Sequence, residues 1–127
     1  MSNVLVIYGG NSAERDISLI SGTNVGEALI RAGHTVTYFD PASGLHSLSK
    51  ELTGIDVVFP ILHGTGGEDG FIQNALELEG IPFVGSNSES SRMCFDKWQT
   101  IRRAKTAGIE ISELVDKLVL EALRYNT

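Results

Sequence analysis

The octapeptide His63-Gly64-Thr65-Gly66-Gly67-Glu68-Asp69-Gly70 concentrates chemistry in a short span. Four of its eight residues are glycine, and the others include an imidazole and two carboxylates. Glycine lets a backbone approach a ligand closely and take positive φ at little steric cost. The run follows Val57-Val58-Phe59-Pro60-Ile61-Leu62, which reads as a buried strand. Ionisable groups are therefore expected where a strand end meets a helix start, the usual ligand position in α/β sheets. A second segment, Gly9-Gly10-Asn11-Ser12-Ala13-Glu14-Arg15, joins the first strand to its helix. Free N–H groups at a helix start favour anions, and Glu14 beside them could hold an ammonium group. An amino acid, which carries both charges, suits this arrangement.

Each of these residues also has a plainer role open to it. Asn11 and Glu14 form a loose capping box, or Glu14 contacts a ligand; Asp16 is an alternative N-cap. His63 is either a satisfied structural histidine or a functional one. Glu68 and Asp69 are metal ligands, general bases, or the first-turn acids of the next helix. Asp96-Lys97 is a solvated surface pair or carries a phosphate-binding lysine. Neither glycine cluster completes GxGxxG, because Asp69 stands where the third glycine would be, and no Walker lysine follows either. A nicotinamide or P-loop nucleotide site is thus disfavoured.

The elements that must position these groups alternate. Val4-Leu5-Val6-Ile7-Tyr8 is a continuous apolar run, expected as a central parallel strand covered on both faces. A helix is expected to start between Ser12 and Ile17 and to end at Gly33, with Val25, Ala28, Leu29 and Ala32 at helical spacing. Thr35–Phe39 is a second strand, closed by Asp40-Pro41, and a short helix is expected around Leu45–Leu52. Asp56–Leu62 is the third strand. Phe71–Glu79 follows as a helix with Phe71, Ala75 and Leu78 on one side and Gly80 as terminator. Pro82-Phe83-Val84 is a short fourth strand, and Ser88–Ala107 is mostly helix. Ser112–Tyr125 is amphipathic, with Leu114, Val115, Leu118, Val119, Ala122 and Leu123 in one stripe and Ser112 as N-cap. The alternation predicts an α/β fold, a three-layer α/β/α Rossmann-like domain with a mainly parallel sheet of about four strands.

At 127 residues and 42% hydrophobic content, the chain suits one globular domain with a real core. A net charge of −6, with no basic run, argues against a nucleic-acid partner. The lone Cys94 permits no internal disulfide and reads as a small buried hydrophobe. The N-terminus lacks the marks of a signal peptide, and no stretch approaches the roughly 20 apolar residues of a membrane span. No membrane partner and a cytoplasmic location are expected.

Taken together and in order, Gly9–Gly22 (GGNSAERDISLISG), Phe59–Gln73 (FPILHGTGGEDGFIQ) and Leu76–Ser91 (LELEGIPFVGSNSESS) resemble the D-alanine–D-alanine ligases of the ATP-grasp superfamily. Asp96-Lys97 and Ala107–Ile109 complete the match, which covers about residues 3–110. The resemblance implies a pre-ATP-grasp domain over residues 1–110 from an enzyme of peptidoglycan synthesis. Such enzymes use ATP and magnesium to phosphorylate one D-alanine, and the amine of a second D-alanine attacks the acyl phosphate. By the same resemblance, Glu14 holds the substrate ammonium and orients active-site hydroxyls. His63 lies near the substrate carboxylate, and Gly66, Gly67 and Ser86 form backbone walls. Lys97 reaches an ATP phosphate. The types suit the roles: an amine needs a carboxylate partner, and phosphates need a cation.

Family members are more than twice this long, and nothing after Ile109 matches their central domain or their magnesium-binding carboxylates. The chain alone is therefore expected to hold neither ATP nor magnesium tightly and to lack ligase activity. Residues 111–127 resemble the helix that closes these ligases, which leads to the expectation of an internal deletion joined near Glu110–Ser112. Self-association into a homodimer through an exposed apolar face is a further expectation.

Overall fold

The computed structural model describes residues 1–111 together with Lys117, Glu121 and Arg124. The expected tail helix, with its stripe from Leu114 to Leu123, lies outside the described residues. The chain divides into two compact units, Met1–Arg92 and Met93–Thr127.

In the first unit, β1 (Asn3–Tyr8) pairs in parallel with β2 (Thr35–Phe39) and with β3 (Val57–Ile61), giving the order β2-β1-β3. The register sets Val6 against Tyr38 and Leu5 against Val58. The unbroken apolar run of β1 is explained by this central place, since Val4, Leu5, Val6 and Ile7 are all buried. The expected fourth strand is reduced to one parallel bridge, Val58 with Phe83, held by Val58 N to Pro82 O at 3.0 Å and Val84 N to Val58 O at 2.9 Å. Pro82 has no N–H to extend the ladder, and Gly85-Ser86-Asn87 turns the chain away immediately.

Three helices cover the sheet: α1 (Arg15–Arg31), α2 (Leu48–Glu51) and α3 (Phe71–Glu79). One face of the sheet presents Leu5, Ile7 and Val58 to Leu48 of α2 and to Ile72 and Leu76 of α3, and this cluster is the core. The other face carries Tyr8 and Tyr38, whose rings stack at 5.1 Å between centroids. These rings lie against Gly22 and Gly26 of α1.

The sides expected of two helices are corrected here. The buried stripe of α1 is Ser18, Gly22 and Gly26, while Ala28 and Ala32 are exposed. Bulky tyrosines on the sheet demand small residues on the helix, so the stripe carries little hydrophobic signal. On α3 the buried residues are Ile72, Gln73 and Leu76, whereas Phe71 and Leu78 are exposed.

The expected long helix Ser88–Ala107 is two helices, α4 (Ser88–Phe95) and α5 (Lys97–Thr106). Asp96 divides them. It is extended, and its carboxylate accepts from Trp98 N at 2.9 Å and Gln99 N at 3.2 Å, an N-cap for α5. In the second unit the Thr100 hydroxyl lies 3.0 Å from Cys94 O, a carbonyl left over at the end of α4. Cys94 is exposed, which corrects the buried reading. Only Ser88 of α4 is buried, so that helix offers no apolar environment at Cys94.

Candidate functional site

With α1 on one face and α2 and α3 on the other, the chain leaves β1 and β3 toward opposite faces. The gap between those two strand ends is the topological switch point, where open α/β sheets bind ligands. The two glycine-rich loops flank it.

The loop after β1 is set by Asp40 at the end of β2. Its carboxylate accepts from Gly10 N (3.0 Å), from Ala42 N (3.0 Å) and from both terminal nitrogens of Arg15 (3.1 and 2.7 Å). Gly9 has φ +86°, and a Cβ there would lie 2.6 Å from Asp40 Oδ2, so only glycine lets the carboxylate come this close. In a dinucleotide-binding fold the acidic residue after the glycine turn would serve a ribose. Here Asp40 is spent on Arg15 and the loop, which further disfavours that site.

The hydrogen bonds from Arg15 hold the Asp40 carboxyl below its ordinary pKa, helped by Gly10 N and Ala42 N and opposed by burial. A depressed carboxyl stabilises the fold above its unfolded pKa, near 3.8, and that contribution fades as pH falls through the lower folded value. Asp40→Asn should therefore cost about 1 kcal/mol at neutral pH, a small figure because the pair is partly exposed. The difference from the parent should vanish at the acid end of a pH series of urea melts. A difference that persists unchanged below the folded pKa would refute this assignment.

Ser12 ties the two loops together. Its hydroxyl donates to His63 O at 2.7 Å and accepts from Glu14 N at 3.1 Å. Ser18, fully buried, adds a second tie: its Oγ accepts from Gly9 N at 2.8 Å and donates to Ile61 O. Glu14 stands at the N-cap position of α1 with no side-chain cap hydrogen bond, and Asn11 donates to Ala42 O instead. The capping-box alternative is thus not realised, and the Glu14 carboxylate is exposed. It lies against the second loop, where a Cβ on Gly64 would sit 2.9 Å from Glu14 Oε2.

The loop after β3 is held by its own acids and by α3. Asp69 accepts from Gly66 N (3.0 Å) and Phe71 N (3.1 Å), a structural use of that carboxylate. Gln73 Nε2 donates to Gly67 O at 2.8 Å. Glu68 lies with Oε1 3.7 Å from His63 Nδ1. His63 Nε2 is buried with no hydrogen-bond partner, so His63 is not a satisfied structural histidine.

His63, Gly66 and Gly67 line a cavity of about 310 Å³ within the first unit. Gly9, Gly10 and Ser12 line it from the loop after β1, and Pro41 and Leu45 from the loop after β2. Glu14 does not line it; its carboxylate sits beyond Ser12 and Gly64. Ser86 is exposed and does not line the cavity either, and Lys97 is exposed in the first turn of α5 in the second unit. Of the expected site residues, His63, Gly66 and Gly67 share the cavity, and Glu14 lies outside it against Gly64 of the same loop. Sequence reasoning missed Ser12, Ser18, Asp40 and Gln73, the residues that hold the loops. Their signal was present only as ordinary polar residues without a distinctive spacing.

Among the described residues, no three His, Cys, Asp or Glu side chains stand together in a way that could hold a metal ion. No helix among the described residues is long and apolar enough to cross a membrane.

The family profile described as D-ala D-ala ligase N-terminus matches residues 39–86. A D-alanine–D-alanine ligase of Azoarcus is 54% identical over 98 residues, which are 76% of this chain and 32% of that protein. D-alanine–D-alanine ligase B of Chromobacterium violaceum is 45% identical over 116 residues, 90% of this chain and 38% of that protein. Among solved structures, the Bacillus anthracis D-alanine–D-alanine ligase complexed with ATP superposes with a TM-score of 0.80 at 32% identity. That superposition covers 89% of this chain and 38% of the other. The chain thus spans about a third of the length of the curated relatives it matches. Sequence and fold agree across most of the chain, which belongs to the D-alanine–D-alanine ligase family and corresponds to its N-terminal domain.

Proposed function

We propose that this domain is the substrate-side lobe of a D-alanine–D-alanine ligase and holds the first D-alanine between Glu14 and His63. The observation that carries this reading is the pair of unspent groups at the switch point: a Glu14 carboxylate free of capping and a His63 Nε2 without a partner. The carboxylate receives the substrate ammonium in a charge-assisted hydrogen bond. The imidazole meets the substrate carboxylate, and the Gly66-Gly67 backbone forms the wall. Ser12 keeps the two groups in step through its bonds to Glu14 N and His63 O.

In a protein of the relatives' length ATP would supply the phosphoryl group that activates the carboxylate, and Lys97 would be a cation for one of its phosphates. Magnesium has no site among the described residues, so no step is derived through it. Dipeptide formation for peptidoglycan, the second D-alanine and a cytoplasmic setting belong to the reaction of a protein of the relatives' length. Residues 1–110 form the lobe, and residues 111–127 are proposed as the counterpart of the family's closing helix. A homodimer is the proposed assembly.

The test is titration of D-alanine into the 127-residue chain, followed by NMR. Shifts are expected at Gly64 and His63. Glu14→Gln should weaken binding about tenfold, the low end for an exposed charge-assisted bond. Equal affinity in the two proteins would remove Glu14 from the site. Phosphate release from ATP, magnesium and D-alanine should be absent, and Glu14-dependent release would overturn the view that the chain is only a lobe.

A further inference from the structure

Helix α1 has two faces of different chemistry. The face on the sheet is small and buried, with Ser18, Gly22 and Gly26. The opposite face carries Ile17, Ile20, Asn24, Ala28 and Arg31, all exposed. Their spacing of three, four, four and three residues keeps them on one side of an α-helix. Ile17 and Ile20 are 58% and 60% exposed, so the seam is apolar at one end and uncovered. Its polar residues are placed symmetrically. Asn24 is near the midpoint of α1, and Asp16 and Arg31 stand near its two ends with opposite charge. Neither Asp16 nor Arg31 belongs to a salt bridge among the described residues. About 22 Å of helix separates them, too far for a pair within one chain. Arg15, next to Asp16, is spent on Asp40.

We propose that the outer face of α1 is a self-association surface, on which a second copy of this chain packs its own α1 antiparallel across a two-fold axis near Asn24. In a two-fold contact residue i meets j and j meets i. The pairing therefore sets Asp16 against the partner's Arg31 twice, Ile20 beside the partner's Ala28 twice, and Asn24 against the partner's Asn24. A central asparagine of this kind fixes the register of paired helices. Antiparallel packing also brings opposite ends of the two helix dipoles together. The inference rests on the homodimer reading and names its surface; it is independent of the D-alanine reading. A 17-residue helix offers a strip about 25 Å by 10 Å, well under the roughly 800 Å² per partner of a standard interface. The dimer is accordingly weak.

Sedimentation equilibrium on the full chain should show a monomer–dimer equilibrium with Kd of roughly 0.1–1 mM, the weak end of specific association. Asp16→Arg alone, or Arg31→Asp alone, should weaken it at least tenfold by opposing like charges at both ends of the seam. The two swaps in one chain restore opposite charges across the axis and should restore the dimer. Such rescue has no explanation within a single helix. Asn24→Cys in a Cys94→Ser chain should oxidise to a covalent dimer, whereas Lys50→Cys in the same background, on α2 over the other face of the sheet, should not. Circular dichroism checks that each variant folds, and if a swapped chain does not, the Asn24→Cys cross-link decides. A monomer at every concentration would overturn this surface and the homodimer reading together. A dimer indifferent to both single swaps would keep the homodimer and overturn this surface. Weakening without rescue, or no Asn24→Cys cross-link, would overturn the antiparallel pairing. D-alanine binding is measured separately and stands or falls on its own.

Discussion

Gly67→Ala is expected to destabilise the domain by about 3 kcal/mol, the upper part of the range for overpacking a filled site. A Cβ at Gly67 would lie 2.5 Å from both the carbonyl carbon and oxygen of Leu62. These are backbone atoms at the end of β3 and cannot swing aside as the tip of a side chain can. The loop must move instead, which breaks the bond from Gln73 Nε2 to Gly67 O and reshapes the cavity wall. The adjacent Gly66 makes a sharp control. A Cβ there meets nothing within 4 Å, but its φ is +91°. Gly66→Ala therefore costs only backbone strain, about 1–2 kcal/mol. Urea unfolding of the two variants should separate them by at least 1 kcal/mol, which is about 4–8 °C in melting temperature for a domain of this size. Equal losses would mean that Leu62 and the loop yield freely and that the close approach is not a constraint.

The second large effect is at the helix–sheet contact. In an ordinary helix interior, Gly→Ala stabilises by about 0.5–1 kcal/mol. Gly22→Ala is expected to reverse that sign and destabilise by about 2 kcal/mol. A Cβ on Gly22 would lie 2.6 Å from Tyr8 Cβ, an atom fixed by the central strand. The helix must then lift from the sheet, pulling Ser18 from Gly9 N and Ile61 O and loosening both loops of the site. Gly22→Ala combined with Tyr8→Gly, which removes the clashing Cβ that an alanine would keep, should recover the part of the loss that is due to the clash, a coupling that a double-mutant cycle measures directly. If Gly22→Ala raises the unfolding free energy, α1 does not pack on Tyr8 as described.

Ser18 links these predictions to the site. It is a polar residue on a buried helix face, and its hydroxyl joins the ends of β1 and β3, the strands that carry the two loops. The Glu77 side chain does comparable work at α4, accepting from Ser88 N at 2.7 Å and Ser88 Oγ at 2.6 Å. The Glu77 carboxyl is accordingly held below its ordinary pKa, first by the Ser88 hydroxyl and then by the Ser88 N–H.

Much of this protein was legible from residue order alone. A continuous β-branched run has one stable environment, the centre of a parallel sheet, so β1 could be placed before any coordinates. Glycine and proline punctuate by local sterics, which is why Phe71–Glu79 begins and ends where the sequence says. The glycine-rich loop, its histidine and Glu14 were visible because their types are unusual at strand ends. The ordered motifs identified the family, whose relatives cover most of the chain.

What only the tertiary structure decided was which faces meet and which polar groups remain free. The apolar residues of α1 and α3 marked the packed sides only in part, since Val25, Leu29 and Ala75 are half-buried while Ala28, Ala32, Phe71 and Leu78 are exposed, because a helix packs by shape as well as by hydrophobicity. Two tyrosines on the sheet select Gly22 and Gly26, and exposed Phe71 and Leu78 are compatible with a core closed by Ile72 and Leu76. Asp96 split one apparent helix because its side chain could cap the second half, an outcome that competes closely with helix continuation along the chain. The choice between capping and ligand roles for Glu14, and between structural and unsatisfied states for His63, was set by partners distant in sequence. Asn11 donates to Ala42, Ser12 to His63, and Ser18 to Ile61. Local order specifies which groups are available, but hydrogen bonds spanning tens of residues determine which of them are left to meet a ligand.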